Sequence, residues 1–452
     1  MELEYQNTCC EVEQTLSVNG FDDDFRKEFI KAMQDLYRAK KIDTIAHKGS
    51  VRETYKVLYK GVEEGISMEV NTDSFLQRNY VFNQKIKDNL WYFSAAKNRA
   101  DLIALNNLLV DEKGNFKTWS QFKAEAEKIL GRSARYLKTE YTTAVAGARM
   151  AAKWVKFQEQ KHLYPYAKFF VVMDKHTSDI CSPLNGIVVP WEHPLLKTHY
   201  PPNHFNCRTD VVATRYDEPT PNNEIKAPDI PNDFMNNIGI SGTIFSENSK
   251  YIKALQNDFR DEEIKDFIYT VMSEEQSFIT RYKSETTGGV LRVNLNPDLK
   301  DLTTNLHLGK LIVDDHNTMV DILAHLEGRK NPEFRIDSII GDATNRDQAT
   351  KPQNFITNSI KKLYESEQLG GFNKACLVMN FGEISNVANR NIKKSAGVLH
   401  ESFKKFDKLE FVILIANRKV WRVDKTKMLI LKTNDLHSKL YELFTPKKDQ
   451  SE

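Results

Sequence analysis

The chain has 452 residues, 40% of them hydrophobic, enough to build real cores, and a prior of roughly 150 residues per domain allows about three domains. Its 64 Lys+Arg against 62 Asp+Glu leave a formal net charge of +2, which excludes a general polybasic nucleic-acid binder but not a local basic groove. Seventeen Tyr and 25 Phe argue against disorder. No run approaches ~18 consecutive apolar residues, which argues against a membrane span, and the acidic start MELEYQNTCCEVEQ does not read as a secretory signal. Five Cys, an odd number, cannot form a disulfide framework. They point to a reducing cytosol, with any special Cys a metal ligand or nucleophile.

Residues 1–160 contain no Pro, and their apolar residues recur at spacings of three and four, as in Phe75, Tyr80, Phe82, Ile86, Leu90 and Phe93. This predicts a mainly helical region. Thr118 is placed to cap an amphipathic helix running to Ile129. From Leu137 to Phe157, Ala144, Ala146, Gly147, Ala148, Ala151 and Ala152 form a small-residue surface that lets another helix approach closely. Tyr166–Met173 reads as a strand, residues 198–207 as an irregular loop and Thr209–Thr214 as a second short strand. The Pro-, Asn- and Asp-rich stretch 216–245 reads as a linker.

Beyond it, helices are expected over Lys250–Phe259, Asp261–Ser277, His316–Leu326, Asn354–Leu369 and Gly397–Lys405. Strands are expected over Phe334–Ile340, Ala375–Asn380, Phe411–Ile415 and Lys419–Val423. Alternating strands and helices predict an α/β domain over 246–452. The tail TPKKDQSE is expected to fray. The fold class is therefore multidomain: a mainly α-helical N-terminal region, a small α+β unit containing Cys and His, and an α/β C-terminal domain.

The densest chemistry lies between Asp174 and Arg208, with Asp174, His176, Cys181, His193, His199, His204 and Cys207. Thiolates and neutral imidazoles bind zinc when three or four converge. His204-x-x-Cys207 has the spacing of one arm of such a site, and Cys181 can supply the other, with Asp174 or a further His as fourth ligand. The alternative is a loop of hydrogen-bonded His and two buried Cys. Gly186 suits a tight turn, and Arg208 is placed to pair with Asp174.

These residues carry a resemblance. Phe93-Ser-Ala-Ala-Lys97, Leu137-Lys-Thr-Glu140-Tyr141 and Ala144 to Trp154 are followed by Asp174-Lys-His-Thr177-Ser-Asp-Ile-Cys181 and Leu184-Asn-Gly186. The series closes with Tyr200-Pro-Pro-Asn-His204-Phe-Asn-Cys207-Arg208. In order and spacing it resembles the phage Mu F-like minor head proteins over roughly residues 60–215. The resemblance implies a minor capsid protein of a tailed phage or prophage, acting in head morphogenesis near the portal. Its partners would be portal, capsid and scaffold proteins, and its location the virion head, assembled in the host cytoplasm. Asp174, Thr177, Cys181, Gly186, Pro202, His204, Cys207 and Arg208 fall on the family's motif positions. Where many relatives have Cys-x-x-Cys, this chain has Ser178, which leaves three ligands, Cys181, His204 and Cys207, for a structural metal.

In the C-terminal part, Asn331-Pro-Glu333-Phe-Arg-Ile-Asp337-Ser-Ile-Ile-Gly-Asp342-Ala-Thr344 reads as two strands and a turn, with acids along them. Carboxylates on adjacent strands can hold a magnesium, manganese or zinc ion that activates water and offsets phosphate charge. With Thr287-Gly-Gly289, a helix carrying Asp315, and a helix ending Glu367-Gln368 before Lys374–Met379, residues 285–425 resemble a PD-(D/E)xK core. The similarity is greatest to the tRNA-nuclease domains of contact-dependent inhibition toxins. That resemblance implies Glu333 and Asp342 as metal-binding catalytic acids, Asp315 as the helix acid and Gln368 near the site. Thr344 stands where a catalytic Lys is expected, with Lys351 or Arg346 as substitutes, and Lys361, Lys362, Lys393, Lys394, Lys404 and Lys405 could track a nucleic-acid backbone. Phosphate-loop and nucleophile-elbow motifs are absent.

The reading is a helical region (1–60), a Mu F-like unit (61–215), a linker (216–245) and an α/β domain (246–452). Together they make a head-morphogenesis protein carrying a metal-dependent tRNA or DNA nuclease. The alternative is a wholly structural head protein whose last domain is inactive or a docking module.

Overall fold

The computed structural model describes residues 21–446 apart from 330, 366–371 and 386. The chain divides into two compact units, Met1–Val271 and Met272–Glu452. Among the described residues, no helix is long and apolar enough to cross a membrane.

The first unit begins with helices α1 (Phe21–Ala39), α2 (Lys48–Ser67), α3 (Thr72–Arg78), α4 (Tyr80–Asn106) and α5 (Trp119–Gln160). The start of α5 is fixed by a full capping box. Gln121 N donates to Thr118 Oγ1, and Thr118 N donates to Gln121 Oε1 at 3.0 Å. The small-residue stripe works as expected: Ala144, Ala148 and Ala152 are fully buried. The partner helix, α2, also contributes glycines. A Cβ on Gly65 would sit 2.2 Å from the Val145 carbonyl oxygen, and one on Gly61 3.1 Å from Tyr141. Only side-chain-free positions allow this approach.

The small α+β unit follows as β1 (Tyr166–Phe170), β2 (Val188–Pro190), α6 (Leu195–Thr198) and β3 (Asp210–Thr214). Its sheet has the order β2-β1-β3, all antiparallel. The strand expected to reach Met173 stops at Phe170. The core joins Ala167, Phe169 and Val211 to Trp154 and Phe157 of α5, and to Trp191, Leu196 and Tyr200. A buried ion network ties α5 to β3. Lys153, only 1% exposed, lies 2.6 Å from Asp210, while Arg149 pairs with both Glu69 and Asp210.

The stretch expected to be a linker belongs to this unit. Ile230, Phe234, Ile238, Ile244 and Phe245 are buried, and the short helix α7 (Ile238–Ser241) packs on α5, with Gly239 against Trp154. Pro and Asn shape this segment into turns, but its apolar residues anchor it. Helices α8 (Lys250–Asp258) and α9 (Asp261–Met272) follow. The helix expected to reach Ser277 ends five residues earlier, and Phe278 starts a strand.

The second unit is one eight-stranded sheet with the order β11-β10-β9-β8-β7-β6-β5-β4. Its strands are β4 (Phe278–Lys283), β5 (Val290–Asn294), β6 (Met319–Ile322), β7 (Phe334–Ile336), β8 (Ile339–Asn345), β9 (Ala375–Gly382), β10 (Leu409–Ala416) and β11 (Lys419–Asp424). Its helices are α10 (Leu302–Asp315), α11 (Pro352–Glu365), α12 (Asn389–Lys405), α13 (Lys425–Ile430) and α14 (Thr433–Phe444). Pairs β5/β6, β8/β9 and β9/β10 are parallel and the rest antiparallel.

Period-two alternation sends Leu377 and Met379 of β9 to one face, under α11, α12 and α14. Cys376 and Val378 go to the other, where Leu308, Ile312 and Val313 of α10 cover them. The expected helix over His316–Leu326 is corrected here: β6 occupies its middle, because Val320 and Ile322 are buried beside β5 in a parallel ladder. A short apolar run does not distinguish the two states by itself. Strands β4 and β5 were not anticipated. The tail expected to fray and the segment carrying Gln368 extend outside the described residues.

Candidate metal centre and candidate carboxylate site

The Cys/His loop leaves β1 and returns to β3, so its two arms start from neighbouring strands. On the first arm, Thr177 Oγ1 donates to the Val172 carbonyl at 2.6 Å and accepts from Asp174 N at 2.7 Å. Arg208 clasps the arms: Nη1 donates to Asp174 Oδ2 at 2.7 Å and Nη2 to Oδ1 at 2.6 Å. This fork, the geometry in which Arg binds a carboxylate most strongly, holds the Asp174 carboxyl far below the usual range. Gly186 makes the turn before β2 with φ 81°, its N–H donating to the Phe169 carbonyl.

Within this frame Cys181, His204 and Cys207 converge. Cys181 Sγ lies 3.2 Å from His204 Nε2 and 3.6 Å from Cys207 Sγ, and each residue's donor atom is within 4.8 Å of the others. Bond lengths of about 2.3 Å to sulfur and 2.0 Å to nitrogen, at the tetrahedral angle, place two zinc ligands roughly 3.8 Å (S to S) or 3.5 Å (S to N) apart. The three atoms nearly satisfy these spacings. His204 Nδ1 bonds the Phe205 carbonyl at 2.7 Å, which leaves the Nε2 lone pair for a ligand. The Cys207 thiol, then His204, hold Cys181 down to about 4, against the effect of burial. Cys207 is pushed up, first by its bond to Cys181, and His204 is raised, mainly by Cys181. A thiolate is thus already stabilised at the point where a cation would bind.

The other proposed fourth ligands are engaged elsewhere. Asp174 is held by Arg208, and His176 is exposed. His193 Nδ1 accepts from Leu195 N. His199 bonds Thr198 Oγ1 and the Pro228 carbonyl. The neighbour that does reach the centre is Ser178, the residue that stands in the sequence where a further Cys was expected; its Oγ lies 2.8 Å from His204 Nε2.

In the second unit, β7 and β8 form a hairpin turned by Asp337 and Ser338 at φ 47° and 70°. Phe334 faces Gly341, so Glu333 and Asp342 fall on the next rung and share a hydrogen bond. Burial and then the Asp342 charge push Glu333 up to about 8; burial also raises Asp342. Without a cation this pair keeps a proton.

Asp315 is not beside them. Asn305, which bonds Glu333, is near the start of α10 and Asp315 at its end, roughly 15 Å apart at 1.5 Å per residue. Glu333 lines two cavities: one of about 340 Å³ with the acid Asp301, Lys362 of α11, Asn305 and Thr344, and one of about 330 Å³ with Asp298, His325 and Arg329. Thr344 Oγ1 donates to Ser359 Oγ at 3.0 Å, one helical turn before Lys362. Arg346 is bound to its own loop through the Thr350 and Gln348 carbonyls. Lys362 stood out in the sequence only as one of several basic residues, and nothing short of the sheet order marks Asp301. Gln368 lies outside the described residues.

Residues 112–212 match the family described as Phage Mu protein F like protein. Over 106 residues the chain is 34% identical to the "Putative capsid assembly protein F" of Escherichia phage Mu. That stretch is 24% of this chain and spans only 22% of the Mu protein's length. The family match takes in all of α5, most of the three-stranded sheet and Cys181, His204 and Cys207, and it ends before the second unit begins. No solved structure matches.

Proposed function

We propose that this is a minor head protein of a tailed phage or prophage, working in head morphogenesis beside portal, capsid and scaffold proteins and carried in the virion. The observation that supports it is the match of 112–212 to the Mu F-like family, on a segment folded as a long helix packed on a small sheet. In this reading the first unit is an assembly module, and Cys181, His204 and Cys207 hold a structural zinc that locks the loop. The test is to tag the chain in its phage, purify proheads and probe for it. Presence with the portal supports the role; absence from proheads and mature particles refutes it.

A second reading, for the second unit alone, rests on the buried Glu333–Asp342 pair facing a cavity with Lys362. We propose a metal-dependent nuclease acting on tRNA or DNA, with Glu333 and Asp342 as metal-binding acids. A bound divalent cation would supply Lewis acidity toward phosphate and water. Asn305 would fix Glu333 through its hydrogen bond, and Lys362 would offset phosphate charge where Thr344 cannot. Incubating the full chain with tRNA and with single-stranded or duplex DNA, plus magnesium, manganese or zinc, tests this. Cutting that Asp342→Ala abolishes supports it; no cutting under any combination leaves a structural or docking domain.

A further inference from the structure

Ser178 stands where the resemblance implies a fourth ligand, and the geometry around it indicates what occupies that side of the centre. Ser178 Oγ is 2.8 Å from His204 Nε2 and accepts from Cys181 N at 3.1 Å. An oxygen and a nitrogen bound to one tetrahedral zinc stand roughly 3.4 Å apart. Ser178 Oγ is therefore too close to Nε2, and too committed to the Cys181 amide, to be a ligand as it stands. A neutral hydroxyl is also a poorer ligand than a metal-bound water oxygen. Cys181 and Cys207 are buried, whereas Ser178 and His204 are each half-buried. The side of the centre that lacks a protein ligand is thus the side nearest solvent.

We infer that the centre binds zinc through three protein ligands, Cys181, His204 and Cys207, and keeps a fourth position open to a solvent oxygen hydrogen-bonded by Ser178. This rests on the metal reading above. A site of this kind differs from a closed structural zinc site in two ways. Its metal exchanges more readily, and its open position accepts small anionic ligands. Ser178 acts as a positioning residue: its hydroxyl, now spent on Nε2, turns to the solvent ligand once Nε2 binds metal.

Cobalt(II) loaded into the full-length chain reads this directly. Two thiolates and one imidazole should give a tetrahedral visible spectrum, and azide should shift it by displacing the solvent ligand. In Ser178→Cys a third thiolate fills the position. Its sulfur-to-cobalt charge-transfer absorption should rise by about half, the azide response should vanish, and zinc affinity in chelator competition should tighten at least about tenfold. Ser178→Ala should still bind cobalt and still respond to azide. A wild-type spectrum that azide leaves unchanged, or a Ser178→Cys spectrum without added charge transfer, overturns the open position while leaving the metal reading intact. Failure of wild-type chain and Ser178→Cys alike to bind cobalt or zinc overturns both.

Discussion

The two units answer the same physical problem in opposite ways. Each buries ionisable groups where a sheet meets its loops, and burial without compensation is costly. In the first unit opposite charges meet: Lys153 is buried against Asp210, with Arg149 bridging Asp210 and Glu69, and the Cys181 thiolate meets His204. In the second unit Asp321 is likewise buried between Arg292 and Arg335, but at the Glu333–Asp342 site like charges meet and the pair retains a proton instead. The first arrangement balances its buried charges by pairing them. The second is poised: its charge state changes with pH and would change again with a cation. A rigid assembly module suits the first solution and a binding site suits the second.

The sharpest way to break this contrast is in the first unit. With zinc at ~1,000 times its dissociation constant, metal should stabilise the first unit by about 4 kcal/mol. Cys207→Ser should abolish that gain and end chelator sensitivity in thermal melts. Lys153→Met should cost about 3–5 kcal/mol in urea unfolding, because Asp210 loses its closest buried counter-charge. Replacing Lys153 and Asp210 together with apolar residues should cost much less. Gly65→Ala should cost roughly 1–3 kcal/mol, since α2 must move off the Val145 carbonyl; a circular-dichroism melt measures it.

The remaining effect belongs to the second unit and carries the opposite pH sign from a salt bridge. Folded Glu333 holds its proton up to about 8, well above its unfolded value. The folded state therefore binds more protons, and stability falls as pH rises from about 4.5 through 8. Glu333→Gln should flatten that slope and raise stability at pH 8, measured by denaturant titration. A wild-type unit with no loss of stability over that range would show that the carboxyls are not held together as described.

Local chemistry was legible wherever the partners are near in sequence. The Thr118 cap, the alanine stripe, the Cys/His arms and the Asp174–Arg208 pair were all visible as residue types at short or matching spacings. The linker reading failed because Pro and Asn marked the turns of 216–245, while the burial of Ile238 and Phe245 depends on packing surfaces far away in the chain. Asp315 failed for a related reason: it is nearer to Glu333 in sequence than Asp301, but a straight helix carries it to the wrong end.

What the sequence determined by itself was the helical and α/β character of the two ends and the residues that could make a metal loop, because periodicity and short motifs are local. Tertiary structure alone decided that β6 is a strand, that 216–245 is packed, that Ser178 rather than another His stands at the centre, and that Lys362 shares the cavity with Glu333. Each of these depends on which surfaces meet across the fold, and burial is set by all the neighbours at once rather than by the order of residues along the chain.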